Sequence, residues 1–478
     1  MKKVLLLLLF PGLVNSRRDG SITIAPRTSS AFLKSITDNS VNQAGLADKK
    51  FGVGGLLKQP FLTANVFDLA SGLLVLHDKK VVLAGYTGDP ITGQWKIALV
   101  RYYPNGHIDR SFGSQGSVIH QFSNFLYDQI NTIVAQADGA ILVGGETRSG
   151  DVGQYRFLLA RYTDKGVLDS TYGQEGKANQ PFLGTGSYDE INVLCLQPNN
   201  YSNAIGYAKD AGGQKIAIAR YNSLGILDAT FGSAGTLLQP FLGDQHLDNG
   251  VAGVVCSDGT LLVAWTSSDG GIGQTKCVVI RYTSTGGLVS TFGKSGIVLQ
   301  PFVGTGNHDE ITCIALQSDG SIVVGGFCFD SGGQKALLIR YTSNGSLDYT
   351  FGVGGIMKQS FLGTGVTTDV INALTIQLDG KIIVAGAIND GGGSKYFLAR
   401  YQINGVLDPS FGVAGIVKSP FVGDGLGDEL YDVVLSPDGA IVASGYTQDG
   451  GGSKMFLIRA VNAIDFSYYH GQLGGFHG

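Results

Sequence analysis

The sequence predicts an all-β fold, a β-propeller built from four-stranded antiparallel blades. The first observation is a pair of residues, Phe-Gly, that recurs with a period of about sixty. The second is that each period contains four short apolar runs separated by glycine-rich turns, without a helical period. A fixed step of this size indicates one supersecondary unit copied in tandem, and four antiparallel strands per unit are typical of a propeller blade. The pairs begin at Phe51, Phe112 (followed by Gly113), Tyr172, Phe231, Phe292, Phe351 and Phe411.

The unit that begins at Phe351 shows how the strands are predicted. Apolar or alternating runs cover 356–361, 369–377, 381–387 and 395–401. An Asp-Gly pair separates the second and third runs here and in four other units, and Asp-Gly between apolar runs is a strong hairpin signal. Tight hairpins favour blades over a β-helix, whose strands are parallel. We interpret the Phe-Gly mark as the turn that joins one blade to the next.

The repeats also predict the domain organisation. Seven full units occupy residues 51–460 and form one propeller. Residues 17–50 are interpreted as an N-terminal half repeat, because Asp19-Gly20 matches the third strand of later units, and residues 461–478 as a C-terminal partial repeat. Circular closure would remove free sheet edges. This count favours seven blades, with residues 17–50 supplying closure or extra strands, and eight blades are the alternative.

Composition limits the class of protein. The chain has 478 residues, of which 73 are Gly and 12 are Pro, and 43% are apolar. Disordered low-complexity chains lack that apolar content. The formal net charge is −4, and the short pair Arg17-Arg18 is the only basic run that stands out. Nucleic-acid binding is therefore not expected.

The N-terminus predicts export. Lys2 and Lys3 precede the apolar run 4–10, and Val14-Asn15-Ser16 suits a cleavage site, which together are typical of a signal peptide. The run is far shorter than the ~20 residues of a spanning helix. Residues 1–16 are therefore predicted to be a signal peptide. The mature protein is predicted to be a monomer without a membrane span that is secreted, periplasmic or on the cell surface.

The segment that joins two units is a composite motif. In one copy it reads Arg340-Tyr341, then Gly345-x-Leu347-Asp348, then Phe351-Gly352. The motif resembles the delta-60 repeat family of bacterial secreted and surface proteins, over about residues 19 to 475. The resemblance implies a bacterial β-propeller of unknown function and no chemistry. Departures from the motif are Tyr172, Asn199-Asn200, Val289 and Ala460.

An arginine keeps the same sixty-residue step, and an aspartate follows it eight residues later in most units. Such a pair would stabilise the intervening loop through charge-assisted hydrogen bonds. The alternative is an anion-binding ring of arginines. Val289 replaces the aspartate in one unit, so Arg281 should be less ordered there or find another partner. The pairs include Arg161 with Asp169, Arg340 with Asp348, and Arg400 with Asp408.

An aspartate opens the second run of all seven units, and a glutamate follows it in three of them. In a closed propeller these carboxylates would ring one face, and hard cations such as Ca²⁺ favour clustered oxygens. The alternative is that each aspartate accepts backbone N–H bonds in its own glycine-rich loop. The metal candidates are Asp189, Glu190, Asp309, Glu310, Asp428 and Glu429.

No catalytic or cofactor-binding motif stands out in the sequence, neither a Ser-His-Asp arrangement nor a phosphate-binding loop. The five cysteines lie in apolar runs and are predicted to be buried, with one disulfide as the alternative. Nonrepeated carboxylates such as Glu146 and Glu175 are widely separated in sequence. The chain is therefore predicted to be an exported, non-enzymatic binding scaffold for an unknown protein or glycan. A propeller-type glycoside hydrolase or lyase and a purely structural surface module are the alternatives.

Overall fold

In the computed structural model, the described residues form 27 β-strands and no helix. These residues are 44–58, 67–89, 94–123, 127–148, 154–178, 188–210, 213–239, 248–268, 275–301, 303–306, 308–330, 333–361, 367–389, 393–418, 422, 427–449 and 452–462. The predicted signal peptide and most of the predicted half repeat and partial repeat lie outside them. Within the described residues, no helix is present that could cross a bilayer.

The strands are short, with three to ten residues each. Those of the first half of the chain are β1 (Leu56–Lys58), β2 (Phe67–Val75), β3 (Val81–Asp89), β4 (Gln94–Tyr102), β5 (Ser117–His120), β6 (Asp128–Ala135), β7 (Ile141–Arg148), β8 (Tyr155–Tyr162), β9 (Asp189–Leu196), β10 (Ser202–Asp210), β11 (Gly213–Tyr221) and β12 (Thr236–Leu238). Those of the second half are β13 (Asp248–Val255), β14 (Leu261–Ser268), β15 (Thr275–Tyr282), β16 (Ile297–Leu299), β17 (Asp309–Leu316), β18 (Ile322–Asp330), β19 (Gly333–Tyr341), β20 (Ile356–Gln359), β21 (Thr367–Ile376), β22 (Ile382–Asn389), β23 (Ser394–Tyr401), β24 (Ile416–Lys418), β25 (Asp428–Leu435), β26 (Ile441–Asp449) and β27 (Gly452–Ala460).

The strands are grouped into antiparallel sets of four. These sets are β2–β5, β9–β12, β13–β16, β17–β20, β21–β24, and β25–β27 with β1. The strands β6–β8 form a further set, whose fourth position is held by a single bridge from Lys177 to Ala160. A short parallel pairing of β19 with β21 joins two sets into one sheet. The all-β fold, with antiparallel four-stranded sheets, is thus confirmed.

The predicted hairpins are present. In the unit after Phe351, β21 pairs with β22 across the turn at Gly380, whose φ is +80°, and β22 pairs in turn with β23. Asn200 occupies the equivalent turn position where the motif departs from Asp-Gly, with φ +62°. Asparagine tolerates this left-handed region better than other side chains do, so the turn survives the substitution.

The prediction that the Phe-Gly mark joins one blade to the next is wrong. Phe351 and Gly352 lie between β19 and β20, which pair with each other in one sheet. The run that follows the mark folds back as the outer strand of the preceding sheet. The sequence repeat and the sheet are therefore out of phase by one strand, which periodicity alone does not reveal.

The mark nevertheless contacts the next set of strands. The ring of Phe351 is fully buried in a core cluster with Ile382 and Tyr401. The N–H of Gly352 donates to the carbonyl of Asn404 at 2.8 Å. A side chain at Gly352, where φ is +53°, would collide with the carbonyl of Ile356. The same donation recurs from Gly52 to Asn105, Gly113 to Lys165, Gly173 to Leu224, Gly232 to Thr285, Gly293 to Asn344 and Gly412 to Ala44.

The segment 44–58 joins the two ends of the described chain. Its strand β1 pairs with β27, with Leu57 opposite Leu457. Phe51 and Leu457 share one core cluster with Leu83 of the first set. The segment therefore lies between the last described strands and the first four-stranded set.

The first strand of each set faces a shared channel. Each of these strands packs against the first strand of the next set, and β25 packs against β2. A cavity of about 220 Å³ is lined by residues of all seven strands. Side chains at this level donate to the neighbouring strand: Asn131 to the carbonyl of Ile191 at 2.9 Å, and Asn372 to that of Leu430 at 2.8 Å.

All five cysteines are buried and none is in a disulfide, so the prediction of buried core residues is confirmed. Burial raises the pKa of the Cys195 and Cys313 thiols to about 12. These thiols are therefore protonated, apolar packing groups at neutral pH.

Candidate functional site

The repeated arginine and aspartate form buried ion pairs. Arg340 Nε lies 2.7 Å from Asp348 Oδ2, and its NH2 donates to Thr350 at 2.9 Å. Its NH1 donates to the carbonyl of Ile403, in the next unit. The guanidinium also stacks over the Phe351 ring, 4.9 Å from its centroid. We call this combination the repeat brace. Arg400 Nε likewise lies 2.8 Å from Asp408, whereas Arg161 lies 3.3 Å from Asp169 through NH1 and also pairs with Asp138.

Arg281 occupies the unit that lacks the aspartate. Its NH2 lies 2.8 Å from Asp258, and its Nε donates to Thr260 at 3.0 Å. Its NH1 still donates to the carbonyl of Ser343 in the next unit, at 2.9 Å. The arginine thus finds another partner on a neighbouring hairpin. The described arginines of the motif bond to loop acceptors of the fold, although Arg161 Nε and Arg459 NH1 are buried without a hydrogen-bond partner among the described residues.

The aspartates that open the second runs also face their own loops. Asp128 is fully buried and accepts from the backbone N–H groups of Phe122 and Ser123 at 2.6 and 3.0 Å, and from Thr147 at 2.6 Å. Asp309 accepts from the N–H of Val303 at 2.6 Å. These contacts match the alternative in which each aspartate organises its own loop.

The metal candidates are not assembled into one site in the described residues. Asp189, Asp309 and Asp428 are buried, each 1% exposed. Glu310 Oε1 lies 2.8 Å from His308 Nε2, and Glu429 accepts from Ser394 at 3.2 Å. Among the residues that the structure describes, no group of three His, Cys, Asp or Glu side chains could hold a metal ion. Glu190 belongs to a different arrangement.

The repeat breaks at the channel entrance, the end at which the first strands begin. Glu190 on β9 faces Tyr207 on β10, and Gln129 on β6 faces Glu146 on β7. The position of Glu146 holds Tyr86 in the first set. In the described structure these side chains form one cluster at the junction of β6–β8 with β9–β12. We call it the entrance cluster, and its members are Glu146, Glu190, Tyr127, Tyr155, Tyr188, Tyr207, Asn131 and Asn192.

Glu190 is surrounded by donors. Its Oε1 accepts from Asn131 at 2.7 Å and from Asn192 at 3.1 Å. Its Oε2 accepts from Tyr188 at 3.1 Å and from the hydroxyl of Tyr207. Burial raises the pKa of Glu190, and these four donors oppose the rise. The carboxyl group is therefore held in place by four hydrogen bonds that come from two units.

Glu146 has the opposite environment. It is 2% exposed, and its Oε2 atom has no hydrogen-bond partner among the described residues. Burial and, to a smaller extent, the charge of Glu190 raise the pKa of Glu146 to about 8. The nearby hydroxyl of Tyr188 opposes this rise. Tyr188 donates to Glu190, and burial together with the charges of Glu146 and Glu190 raises the pKa of its hydroxyl, so Tyr188 lies beside both carboxyl groups.

Four tyrosine rings line this pair. Tyr127 and Tyr155 lie 5.2 Å apart, Tyr155 and Tyr188 4.9 Å, and Tyr188 and Tyr207 5.9 Å, centroid to centroid. All four are partly exposed. The entrance therefore presents aromatic faces over two acidic groups, an arrangement suited to a ligand with hydrogen-bond donors or positive charge.

Sequence reasoning named Glu146 and Glu190 for different reasons and did not join them. They lie in adjacent units, 44 positions apart, and only the packing of β6 against β9 brings them together. The tyrosines were missed altogether. The available signal was that Tyr127 and Tyr188 each precede the repeated aspartate, in two neighbouring units.

Comparisons with known proteins identify the repeats. The family model DUF5122, a domain of unknown function described as a β-propeller, matches residues 77–112, 136–172, 317–351 and 377–411. Each matched segment ends on the first residue of a Phe-Gly mark or its Tyr172 variant. No curated protein matches the chain significantly.

Solved structures with a similar arrangement have diverse functions. A protein of unknown function from Dyadobacter fermentans is 11% identical, with a TM-score of 0.43, covering 86% of this chain and 100% of its own. The polysaccharide lyase Uly1 is 10% identical, with a TM-score of 0.49, covering 88% and 97%. A gluconolactonase from Xanthomonas campestris is 11% identical, with a TM-score of 0.34, covering 68% and 83%. Four segments of the chain thus match the model of a β-propeller family.

Proposed function

We propose that the chain is an exported β-propeller that closes into seven blades and binds a ligand at the channel entrance. Closure is supported by four contacts of the N-terminal side with the last unit. Two of them are the pairing of β1 with β27 and the donation from Gly412 to Ala44. The others are the ion pair of Arg459 with Asp48 at 2.9 Å, and the acceptance by Asp432 of the Leu73 N–H at 3.0 Å.

A designed cross-link tests the closure. Leu57 and Leu457 are direct partners across β1 and β27, so Leu57→Cys with Leu457→Cys should form an intrachain disulfide in the folded chain. Either substitution alone is the control. An eight-bladed ring would place a segment of residues 17–43 beside β27, and the double variant would then remain reduced.

The binding function is carried by one observation, the entrance cluster. The repeat braces follow the sixty-residue period, with a substitute partner for Arg281, and are made of contacts of the fold itself. The cluster of Glu146, Glu190 and four tyrosines occurs at one junction and leaves aromatic faces exposed. Solvent-exposed aromatic groups beside buried polar ones are typical of binding sites.

Ligand recovery tests this proposal. Wild-type protein and the variant Tyr155→Ala with Tyr188→Ala would be used to capture soluble glycans and envelope components, and the bound material identified by mass spectrometry. Tyr431→Ala with Tyr446→Ala, a stacked pair 5.5 Å apart in the last set, is the matched control. We expect the wild type and the control to retain bound material that the variant Tyr155→Ala with Tyr188→Ala does not retain. Equal recovery from all three proteins would contradict binding at the entrance cluster, and no recovery would favour the structural-module alternative.

A glycoside hydrolase or lyase is the second candidate function. The raised pKa of Glu146 beside Glu190, which accepts four hydrogen bonds, is the observation that favours it, because pairs of carboxyl groups in different environments supply acid–base chemistry. Reducing-end release from a polysaccharide panel measures it. Activity that is lost in Glu146→Gln would replace the binding proposal with this one.

Export is proposed from the charged and apolar N-terminus. N-terminal sequencing of the protein recovered from periplasm, cell surface and medium should find a chain that starts near residue 17. Recovery of the full-length chain in the cytoplasm would contradict export.

A further inference from the structure

The entrance cluster has more acceptors than donors. The hydroxyl groups of Tyr188 and Tyr207 and the amide groups of Asn131 and Asn192 are all directed to Glu190. The Oε2 atom of Glu146 and the Oδ1 atom of Asn192 are buried without a hydrogen-bond partner among the described residues. Buried acceptors without donors are costly, so a group that fits here must bring its own donors.

The cluster also has two acidic side chains and no basic one. Glu146 and Glu190 both adjoin Tyr188, and the charge that acts on Glu146 is that of Glu190, with no lysine or arginine among its described partners. A neutral donor would satisfy the free acceptors but would not supply a positive charge to the two acidic side chains. A cationic donor would do both.

A divalent metal ion fits less well than an organic cation. The four acceptor positions of Glu190 are occupied by N–H and O–H donors, which leaves too few oxygens for the six or more that Ca²⁺ takes. An ammonium group needs only three acceptors. It also gains from ring faces, and Tyr127, Tyr155 and Tyr188 form a continuous aromatic wall beside Glu146.

We propose that the entrance cluster binds the ammonium group of an aliphatic amine, which donates to Glu146 and Asn192 and packs against the rings of Tyr155 and Tyr188. This rests on the proposed function and names the chemical class of its ligand. The same group is available on a free polyamine and on a glycan that contains unacetylated amino sugars.

Calorimetric titration of the full chain tests the proposal. The probes are 1,5-diaminopentane and its neutral counterpart 1,5-pentanediol, and chitosan oligomers and their fully N-acetylated counterparts. Both amines should bind and both neutral partners should fail to bind if the ammonium group is recognised. Binding of diaminopentane alone identifies a free polyamine as the source, and tighter binding of chitosan identifies an amino sugar.

Two variants test whether the bound ammonium group lies at Glu146. Glu146→Gln keeps the size of the side chain and should weaken amine binding about tenfold or more, since it removes a buried charge partner. Glu429→Gln, which replaces the glutamate that follows the repeated aspartate in the last set, should bind amines as wild type does. Equal loss in both variants, or in neither, would overturn the assignment to Glu146.

A measurement on the wild type guards against a variant that folds poorly. Glu146 faces Glu190, Tyr86, Tyr127, Tyr188 and Tyr207, and Glu146 is the group held protonated at neutral pH. Amine binding at pH 7 should therefore release a proton, seen as a dependence of the binding heat on the buffer's ionisation enthalpy. Binding without proton release would overturn the proposal. Binding of the acetylated oligomers with no amine binding would also overturn it, while leaving the proposed binding function intact.

Discussion

The repeat braces and the entrance cluster both contain buried carboxyl groups, but the groups have different partners. In the brace, Arg340 and Asp348 are neutralised by each other and by loop acceptors. In the cluster, Glu146 and Glu190 share one surrounding with no basic partner among the described residues. The brace recurs with the period, whereas the cluster occurs where the period fails. Residues that repeat in every unit serve what every unit shares, namely folding, and the exceptions are where function is expected.

The largest expected effect comes from breaking a brace. Arg340→Met removes the partner of Asp348 and the donor to Ile403 of the next unit. Breaking a buried pair on one side costs about 3–5 kcal/mol, so the free energy of unfolding in urea should fall by about that much. Arg281→Met is the control, because its partner Asp258 is half exposed and such a pair contributes about 1 kcal/mol or less. Equal losses in the two variants would show that burial does not decide the value of a brace.

Glycine at the mark should be the next most sensitive position. Gly352→Ala places a Cβ against the carbonyl of Ile356, whereas Gly354→Ala meets no atom within 4 Å, although φ is positive at both positions. The left-handed conformation alone costs roughly 1–2 kcal/mol. Thermal unfolding should therefore show a loss of about 1 kcal/mol for Gly354→Ala and clearly more than 2 kcal/mol for Gly352→Ala. Losses of the same size would refute a close approach at the mark.

A substitution in the entrance cluster should raise the stability of the fold at high pH, whereas the preceding substitutions lower it. The pKa of Glu146 is raised in the folded chain, so its contribution to stability is present at low pH and is lost as pH rises toward about 8. Glu146→Gln should therefore match the wild type near pH 4 and exceed it near pH 9, by on the order of 2 kcal/mol. Urea titrations at the two pH values measure this. A variant less stable than the wild type at high pH would show that the carboxylate stabilises the fold.

The smallest effect is expected at the junction of the last and first units. Asp432 accepts the Leu73 N–H, a position that Thr132 fills for the Leu194 N–H at 3.2 Å elsewhere. Burial raises the pKa of Asp432 to about 6, so its stabilising contribution is lost as pH rises from about 4 to above 6. Asp432→Asn keeps an acceptor and should be more stable than wild type at pH 8, by about 1 kcal/mol, and equal to it at pH 3.5. The same measurement on Asp432→Ala, which removes the acceptor, should show a loss at both pH values.

Much of the fold could be predicted from the sequence, because the strand runs and Asp-Gly hairpins are local signals. The phase of the sheets could not, since whether 356–359 pairs backward with β19 or forward with β21 depends on packing beyond the repeat. The Arg–Asp contacts followed from a constant spacing of eight residues. The entrance cluster could not be predicted, because Asn131 reaches Glu190 and Tyr155 reaches Tyr188 only across the junction of two units.

The most direct test of the division between folding and binding residues uses two variants in one binding measurement. The captured ligand, or diaminopentane, would be titrated into the folded Arg340→Met and Glu146→Gln variants at pH 7, in buffer without urea. The Arg340→Met variant should bind as the wild type does, despite its lower stability, and the Glu146→Gln variant should lose binding with its stability unchanged or higher. Lost binding in Arg340→Met together with unaltered binding in Glu146→Gln would contradict the division.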